Sequence, residues 1–379
     1  MKVPDRILII GNNESAIMAA NKLLQRASRG DIEILVLGKK RKIEFRESNI
    51  FLCTSSLDHN NTWKNIDYLL KPQVKIIQDE PLILNMDEKS VSTKKGTVIK
   101  YDYLIIADPF EADISAIKGY DEDARSVETA QNALSLREDL KRISTGDIVI
   151  YHDSRSSFTS SYATSLAVSI KNYVSRKDNP DKIKVKLIFG ENNSSADKVT
   201  EDFIDSTLKK NNIDSVQNFK IKSINVKNRE LESESGDSIK YDIPVIFAPY
   251  RSREYLEKSK LPRADSGFVE VNIKTLAVKG HDDIFMLGYI GSEFKNNWKT
   301  LYNQVDYVSG RIASLASSYP DSGNYEYQYN DIVITGNERA SSLSYDGNSL
   351  EIGAESRTDF LIKVYGYQTF FGIYAMGFI

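Results

Sequence analysis

With 379 residues the chain is longer than one comfortable hydrophobic core, so two domains plus a tail is the expectation. Hydrophobic residues at 41% and charged residues at 27% are ordinary for a folded protein, and a net charge of −3 without a long basic block argues against a nucleic-acid partner. A single cysteine, Cys53, excludes a disulfide framework and any Cys–Cys redox pair within the chain, and no run of about eighteen apolar residues offers a membrane span.

The chain runs directly into an apolar strand, Arg6–Ile10, with no signal segment ahead of it, which favours a cytoplasmic location. Gly11-Asn12-Asn13-Glu14-Ser15-Ala16 follows, then Ile17, Ala20, Leu23 and Leu24 at helical spacing, then a second strand, Ile32–Leu37. Strand, tight turn, helix and strand in this order predict a Rossmann βαβ unit. Such a turn carries small residues so that backbone amides can approach a pyrophosphate at the helix N-terminus. Gly11 and Ala16 suit that role, whereas Asn13 adds bulk at the middle position and Glu14 adds negative charge. Gly38-Lys39-Lys40 stands where an acidic residue would hold a ribose hydroxyl. Two readings stay open here: a pyrophosphate site, or a purely structural turn. Lys39–Lys42 is the one basic cluster, read as a solvent-exposed face, a phosphate contact or a patch for anionic lipid. Cys53 reads as a buried structural residue.

A β-rich stretch (Val74–Ile77, Leu82–Asn85, Ser90–Ser92, Thr97–Ile99) leads into Tyr101-Asp102-Tyr103-Leu104-Ile105-Ile106-Ala107-Asp108-Pro109. Asp121–Asp123 is expected in a solvated turn. The strand Gly146–Tyr151 ends in His152-Asp153-Ser154-Arg155 with no glycine, so no nicotinamide dinucleotide is expected there, and His152 is read as a solvent-facing loop residue. Ser238–Phe247 repeats the Tyr-Asp strand pattern. Ser266–Asn272 and Asp283–Tyr289 follow, then a helix with Gln304, Val308, Gly310 and Arg311. His59, His152 and His281 lie far apart, so no metal site is expected. From Asp321 the chain turns to hairpin chemistry around Asp346-Gly347, and its last twenty residues are apolar and aromatic, interrupted by Gly366, Gly372 and Gly377.

Taken together, the segments Arg6–Ala16, Tyr101–Ala107, Ser266–Asn272 and Asp283–Gly288 resemble the FAD-dependent pyridine nucleotide-disulfide oxidoreductase superfamily, over roughly residues 5 to 320. The single Gly-rich turn, with Asn218–Ile224 and Phe247–Tyr250, is similar to its sulfide:quinone oxidoreductase branch. The resemblance implies an α/β fold of two Rossmann-like dinucleotide-binding domains: residues 1–110 with 265–320 of the FAD type, 111–264 of the NAD type, and a β-rich, apolar C-terminal region at 321–379. It also implies FAD, held by Gly11, Asn12, Asn13, Ser15, Ala16, Ala107, Gly288 and Tyr289.

The sequence departs from the branch where its chemistry sits. Asp108-Pro109 replaces a Thr-Gly pair, Tyr289 replaces an Asp that hydrogen-bonds the ribityl chain, and Gly38 replaces the ribose-binding acid. The branch's three redox thiols would fall at Glu128, within Ser160–Ala167 and within Asp331–Thr335, none of which contains cysteine. These changes put FAD itself in question and favour a non-catalytic homologue that binds a protein partner, forms a homo-oligomer, or sits peripherally on the inner face of a membrane through residues 360–379. The alternatives are an FAD-dependent quinone-reductase-type enzyme that needs no thiol, and an adaptor whose tail beyond Thr358 can be removed without unfolding the rest.

Overall fold

The computed structural model describes residues 3–28, 30–55, 57–156, 158–191, 198–288, 297–317 and 323–377. Its largest sheet has six strands in the order Ala277–Val278, His281–Met286, Tyr103–Ile106, Asp5–Ile10, Ile32–Leu37 and Lys75–Ile77. All run parallel except the edge strand Ala277–Val278. Parallel strands are covered on both faces, which is why their sequences are continuously apolar rather than alternating. Ile7 and Ile9 face one core cluster, Leu8 and Ile10 the other. The first cluster is roofed by the helices Glu14–Arg26 and Trp298–Ser317, joined at their rim by Arg26 and Lys22 on Asp306, at 2.6 and 3.0 Å.

A second parallel sheet takes the order Asp214–Val216, Ile183–Phe189, Gly146–His152, Ile243–Phe247. The helices Ala130–Arg142 and Ser160–Val174 pack on the face that carries Ile148 and Ile150. The opposite face, with Val149 and Tyr151, is covered by the antiparallel meander Ile221–Asn225, Glu230–Ser233, Ser238–Lys240. The six-stranded unit has its own meander, Pro81–Asn85, Ser90–Thr93, Val98–Lys100.

Each meander feeds a Lys-Tyr-Asp step into the strand that returns to its sheet, and the step explains the repeated sequence pattern. Tyr101 and Tyr241 are buried. Asp102 accepts from the Arg6 amide at 2.6 Å, and Asp242 from the Asp147 amide at 2.8 Å, so each carboxylate fastens the start of the neighbouring central strand. Directly after the two return strands, Phe110–Ala112 and Tyr250–Ser252 pair antiparallel and tie the units together. The architecture is thus the α/β, two-Rossmann arrangement expected from the sequence.

The C-terminal region forms the antiparallel strands Tyr329–Gly336, Arg339–Tyr345 and Leu350–Ile352. The first connection is a two-residue turn, Asn337-Glu338, with φ of 53° and 56°, the geometry of a type I′ hairpin without glycine at either central position. Ile334 anchors this hairpin in the core of the four-stranded unit. Three short helical pieces follow, Arg357–Val364, Gly366–Thr369 and the π-helical Phe370–Tyr374. Breaking the helix lets it present different faces: Tyr367, Phe370, Phe371 and Ala375 enter the core of the six-stranded unit, with Phe370 stacked 5.0 Å from Phe45. Asn21, buried in the first helix, donates to the carbonyls of Leu69 and Ala375, both at 2.7 Å. Among the described residues of the tail, Leu361, Ile362 and Tyr365 are the large exposed hydrophobics. The expectation of a removable tail is therefore corrected, because its aromatic residues complete a core. No helix among the described residues is long and apolar enough to cross a membrane.

Candidate functional site

The carboxyl ends of both parallel sheets open on one cleft of about 470 Å³, within the ~300–1,000 Å³ range of small-molecule sites. Of the residues singled out in the sequence, Asn12, Asn13, Ser15, Ala107 and Gly288 line it, while Gly11 and Ala16 are buried behind the rim. Tyr289 lies outside the described residues.

The first turn is held shut by its own side chains. Gly11 has φ +129°, and a Cβ there would come within 2.9 Å of the Asp108 Cβ, so glycine is required by the close approach of the return strand. Asn13 is the N-cap of the first helix: its Oδ1 accepts from the Ala16 amide at 3.1 Å and its Nδ2 donates to the Ala107 carbonyl at 2.7 Å. Ser15 donates to the same carbonyl at 2.9 Å. Asn12 reaches across and donates to the Lys40 carbonyl. Its Cγ lies only 2.7 Å from where a Cβ on Gly38 would be, so Asn12 occupies the space that the missing acidic side chain leaves. Gly288 (φ +103°) is gripped by the buried Gln304, which accepts from its amide at 2.8 Å and donates to its carbonyl at 3.2 Å.

The second turn closes on itself. Asp153 accepts from the Arg155 amide at 2.9 Å, and Ser156 and the His152 ring both meet the Phe158 carbonyl, at 2.9 and 2.8 Å. His152 is buried, not solvent-facing: the strand runs on through it, and the chain folds back so that Phe158 covers it. Burial holds its pKa below the usual histidine value.

Between the turns lies a polar group that motif reasoning missed. Arg46, after the second strand, sends its guanidinium to Glu128 at 3.3 Å and to the Tyr250 hydroxyl at 3.1 Å. Tyr250 donates to Glu128 at 3.4 Å, and the guanidinium sits 5.0 Å above the Phe158 ring. Burial raises the pKa of Glu128 while Arg46 and Tyr250 draw it back. The other Glu128 oxygen is buried without a partner among the described residues. Below, Glu47 accepts from the Trp298 amide at 3.2 Å, and burial with the nearby Asp331 pushes it up to about 7 against the pull of Lys363. Lys363, from the tail, is itself buried and pairs with Asp331 at 3.3 Å. Glu128 was singled out by the sequence as a residue, and Tyr250 and Asp331 fell only within longer segments that it marked. The others are brought in from separate segments, with no local spacing to betray them.

Of the three places expected to replace redox thiols, Glu128 is in an ion pair, Ser160–Ala167 lies in the wall helix whose Tyr162 stacks on Phe158, and Asp331–Thr335 lies in the strand Tyr329–Gly336, with Asp331 in a second ion pair. Cys53 is buried elsewhere, its thiol pushed up to about 12 by burial, which makes it a poor nucleophile. No group of three or more metal-ligating side chains occurs among the described residues. The first turn departs from an open pyrophosphate nest: the Asn13 side chain takes the Ala16 amide, Asn12 spans the gap beyond to Lys40, and the Glu14 carboxylate lines the same wall. On these observations the site does not fit FAD in the manner the sequence resemblance implies.

Comparison with known proteins finds the family described as pyridine nucleotide-disulphide oxidoreductase matching residues 5–306. The mitochondrial sulfide:quinone oxidoreductase of Dictyostelium discoideum is 21% identical over 301 residues, 76% of this chain and 66% of that protein, so just under two thirds of the relative's length is spanned. In structure, the chain is similar to the sulfide:quinone oxidoreductase of the hyperthermophilic bacterium Aquifex aeolicus, with a TM-score of 0.84 and 16% identity over 98% of this chain and 91% of the other. It is also similar to a chain of the Tetrahymena thermophila mitochondrial ATP synthase, with a TM-score of 0.79 and 14% identity over 99% and 94%.

Proposed function

The chain belongs to the pyridine nucleotide-disulphide oxidoreductase family, in its sulfide:quinone oxidoreductase-like branch, and from that premise we propose that it is a non-catalytic homologue retained as a binding subunit of a protein assembly. The observation that carries this reading is the cleft's own occupancy: Arg46, Glu128 and Tyr250 stand where flavin–thiol chemistry would need open space and a thiolate. The first turn, bridged by Asn12 and Asn13, supports it further. So does the Tetrahymena likeness, since the same fold there belongs to a chain of an ATP synthase. The second turn carries no glycine, and its Arg155 and Ser156 amides are taken by Asp153, so no NAD(P) is proposed either. Leu361, Ile362 and Tyr365 form the apolar face offered to a partner.

The absorbance spectrum of freshly purified protein, before and after incubation with FAD, tests the proposal. It expects no flavin bands and no change on addition. A two-band spectrum bleached by a reductant would overturn it in favour of a second reading, a flavoenzyme whose substrate needs no thiol. That reading is favoured by one observation, the 470 Å³ cleft at the carboxyl ends of the strands.

A further inference from the structure

Arg46 has contacts on every side of the cleft. Its amide donates to Glu14 on the first helix at 3.3 Å, and its carbonyl accepts from the Tyr162 hydroxyl on the wall helix at 3.4 Å. Its guanidinium meets Glu128, Tyr250 and the Phe158 ring, at 3.3, 3.1 and 5.0 Å. Arg46 and Glu14 belong to the six-stranded unit. Phe158 and Tyr162 belong to the four-stranded unit, and Glu128 and Tyr250 lie in segments that join the two. One residue is therefore fastened to the second unit at two points, Phe158 and Tyr162, and to the joining segments at two more, Glu128 and Tyr250. The guanidinium is suited to this work: it is planar, permanently charged, and can donate in its plane while stacking on a ring. Its partners match it, because Glu128 supplies the charge, Tyr250 links donor to acceptor, and Phe158 is backed by Tyr162 at 4.3 Å. The acidic partners and Tyr250 keep the guanidinium well above its ordinary pKa although burial opposes its charge.

We propose that Arg46 is a built-in ligand of the cleft, a cation supplied by the chain itself that locks the two α/β units together in place of a bound cofactor. The proposal rests on the reading that no flavin is held there. The lock accounts for two otherwise separate departures from the family pattern, a carboxylate where a thiol is expected and a turn filled by side chains. A cleft bridged by its own cation needs neither an open pyrophosphate nest nor a nucleophile.

The test uses the full chain in a Trp63→Phe background, which leaves Trp298 on the cleft wall as the sole tryptophan. Arg46→Met, Glu128→Gln and the double variant are unfolded in denaturant, and acrylamide quenching of Trp298 is followed in the native state. The lock predicts that the two substitutions are coupled by about tenfold in the unfolding equilibrium constant. It also predicts that Trp298 becomes more accessible to quencher in Arg46→Met. Additive effects, or coupling without any change in Trp298 quenching, overturn it. Should Arg46→Met fail to fold, Arg46→Lys and Tyr250→Phe take its place; if both keep wild-type stability and quenching, the proposal falls. Flavin bands in the starting protein would overturn the non-catalytic reading itself, whereas a colourless protein with additive variants overturns the lock alone.

Discussion

The two turns that follow the central strands of the two sheets sit at equivalent places and solve one problem in opposite ways. The first turn spends its side chains on its neighbours, Asn12 on Lys40, Asn13 and Ser15 on Ala107. The second spends them on itself, His152 and Ser156 on Phe158, Asp153 on Arg155. The first also keeps a positive-φ glycine, Gly11, whereas residues 152–156 include none with positive φ. A turn bonded to other strands stays tied to the geometry of the sheet around it. The second turn is tied to its sheet through its backbone instead, the Asp153 amide donating to Phe247 and the Tyr250 amide to the Arg155 carbonyl.

The sharpest way to break the contrast is Gly11→Val. Positive φ, with the Asp108 Cβ at 2.9 Å and its backbone nitrogen at 3.2 Å, leaves no room for a branched side chain, so a loss of about 3 kcal/mol or more is expected by chemical denaturation. Next comes Asn13→Ala, which removes a helix cap and a cross-strand bond together; about 1–2 kcal/mol should be lost, measured in the same way.

The two sides of the cleft should also answer pH with opposite signs. A carboxyl held up at about 7, as Glu47 is, favours the folded state when protonated, so its contribution falls away as pH rises from about 4.5 through 7. A histidine held below its usual value, as His152 is, disfavours folding when the unfolded state gains the proton, so stability falls as pH drops below about 6.5. Glu47→Gln should remove the first slope and leave the second, and His152→Gln the reverse, as read from denaturation midpoints across that range. The smallest effect is expected at Ser154→Ala, where only an exposed bond to Glu191 at 2.8 Å is lost; a change within about 0.5 kcal/mol would mark the second turn as tolerant.

Much of the fold was legible because it is written in local patterns. Continuous apolar runs gave the parallel strands, and the Lys-Tyr-Asp step marked both return strands because its aspartate has the same task in each sheet. The substitutions at Asn13, Gly38 and Glu128 were equally visible, since each stands at a position the family pattern defines. What could not be read was anything made by contact between distant segments. Arg46 carries no motif, and its partners lie 32 to 204 residues away. His152 looked exposed because polar residues follow it, and only the backward fold to Phe158 buries it. The tail looked available for a surface because aromatic composition does not say which core a side chain will enter. The Asn337-Glu338 turn was hidden for another reason: it adopts positive φ at two residues where sequence signals look for glycine.

The bond from Asn21 to Ala375 sets an order of assembly during synthesis. A residue near the start of the chain waits for one near its end, and the strand His281–Met286 joins a sheet whose first strand emerged long before. The four-stranded sheet, by contrast, has all its strands once Phe247 has left the ribosome, and Ile334 joins its core later. Although domains usually finish from the N-terminus onward, here the middle of the chain can fold first while the opening strands wait, their apolar faces in need of shelter until the last residues arrive.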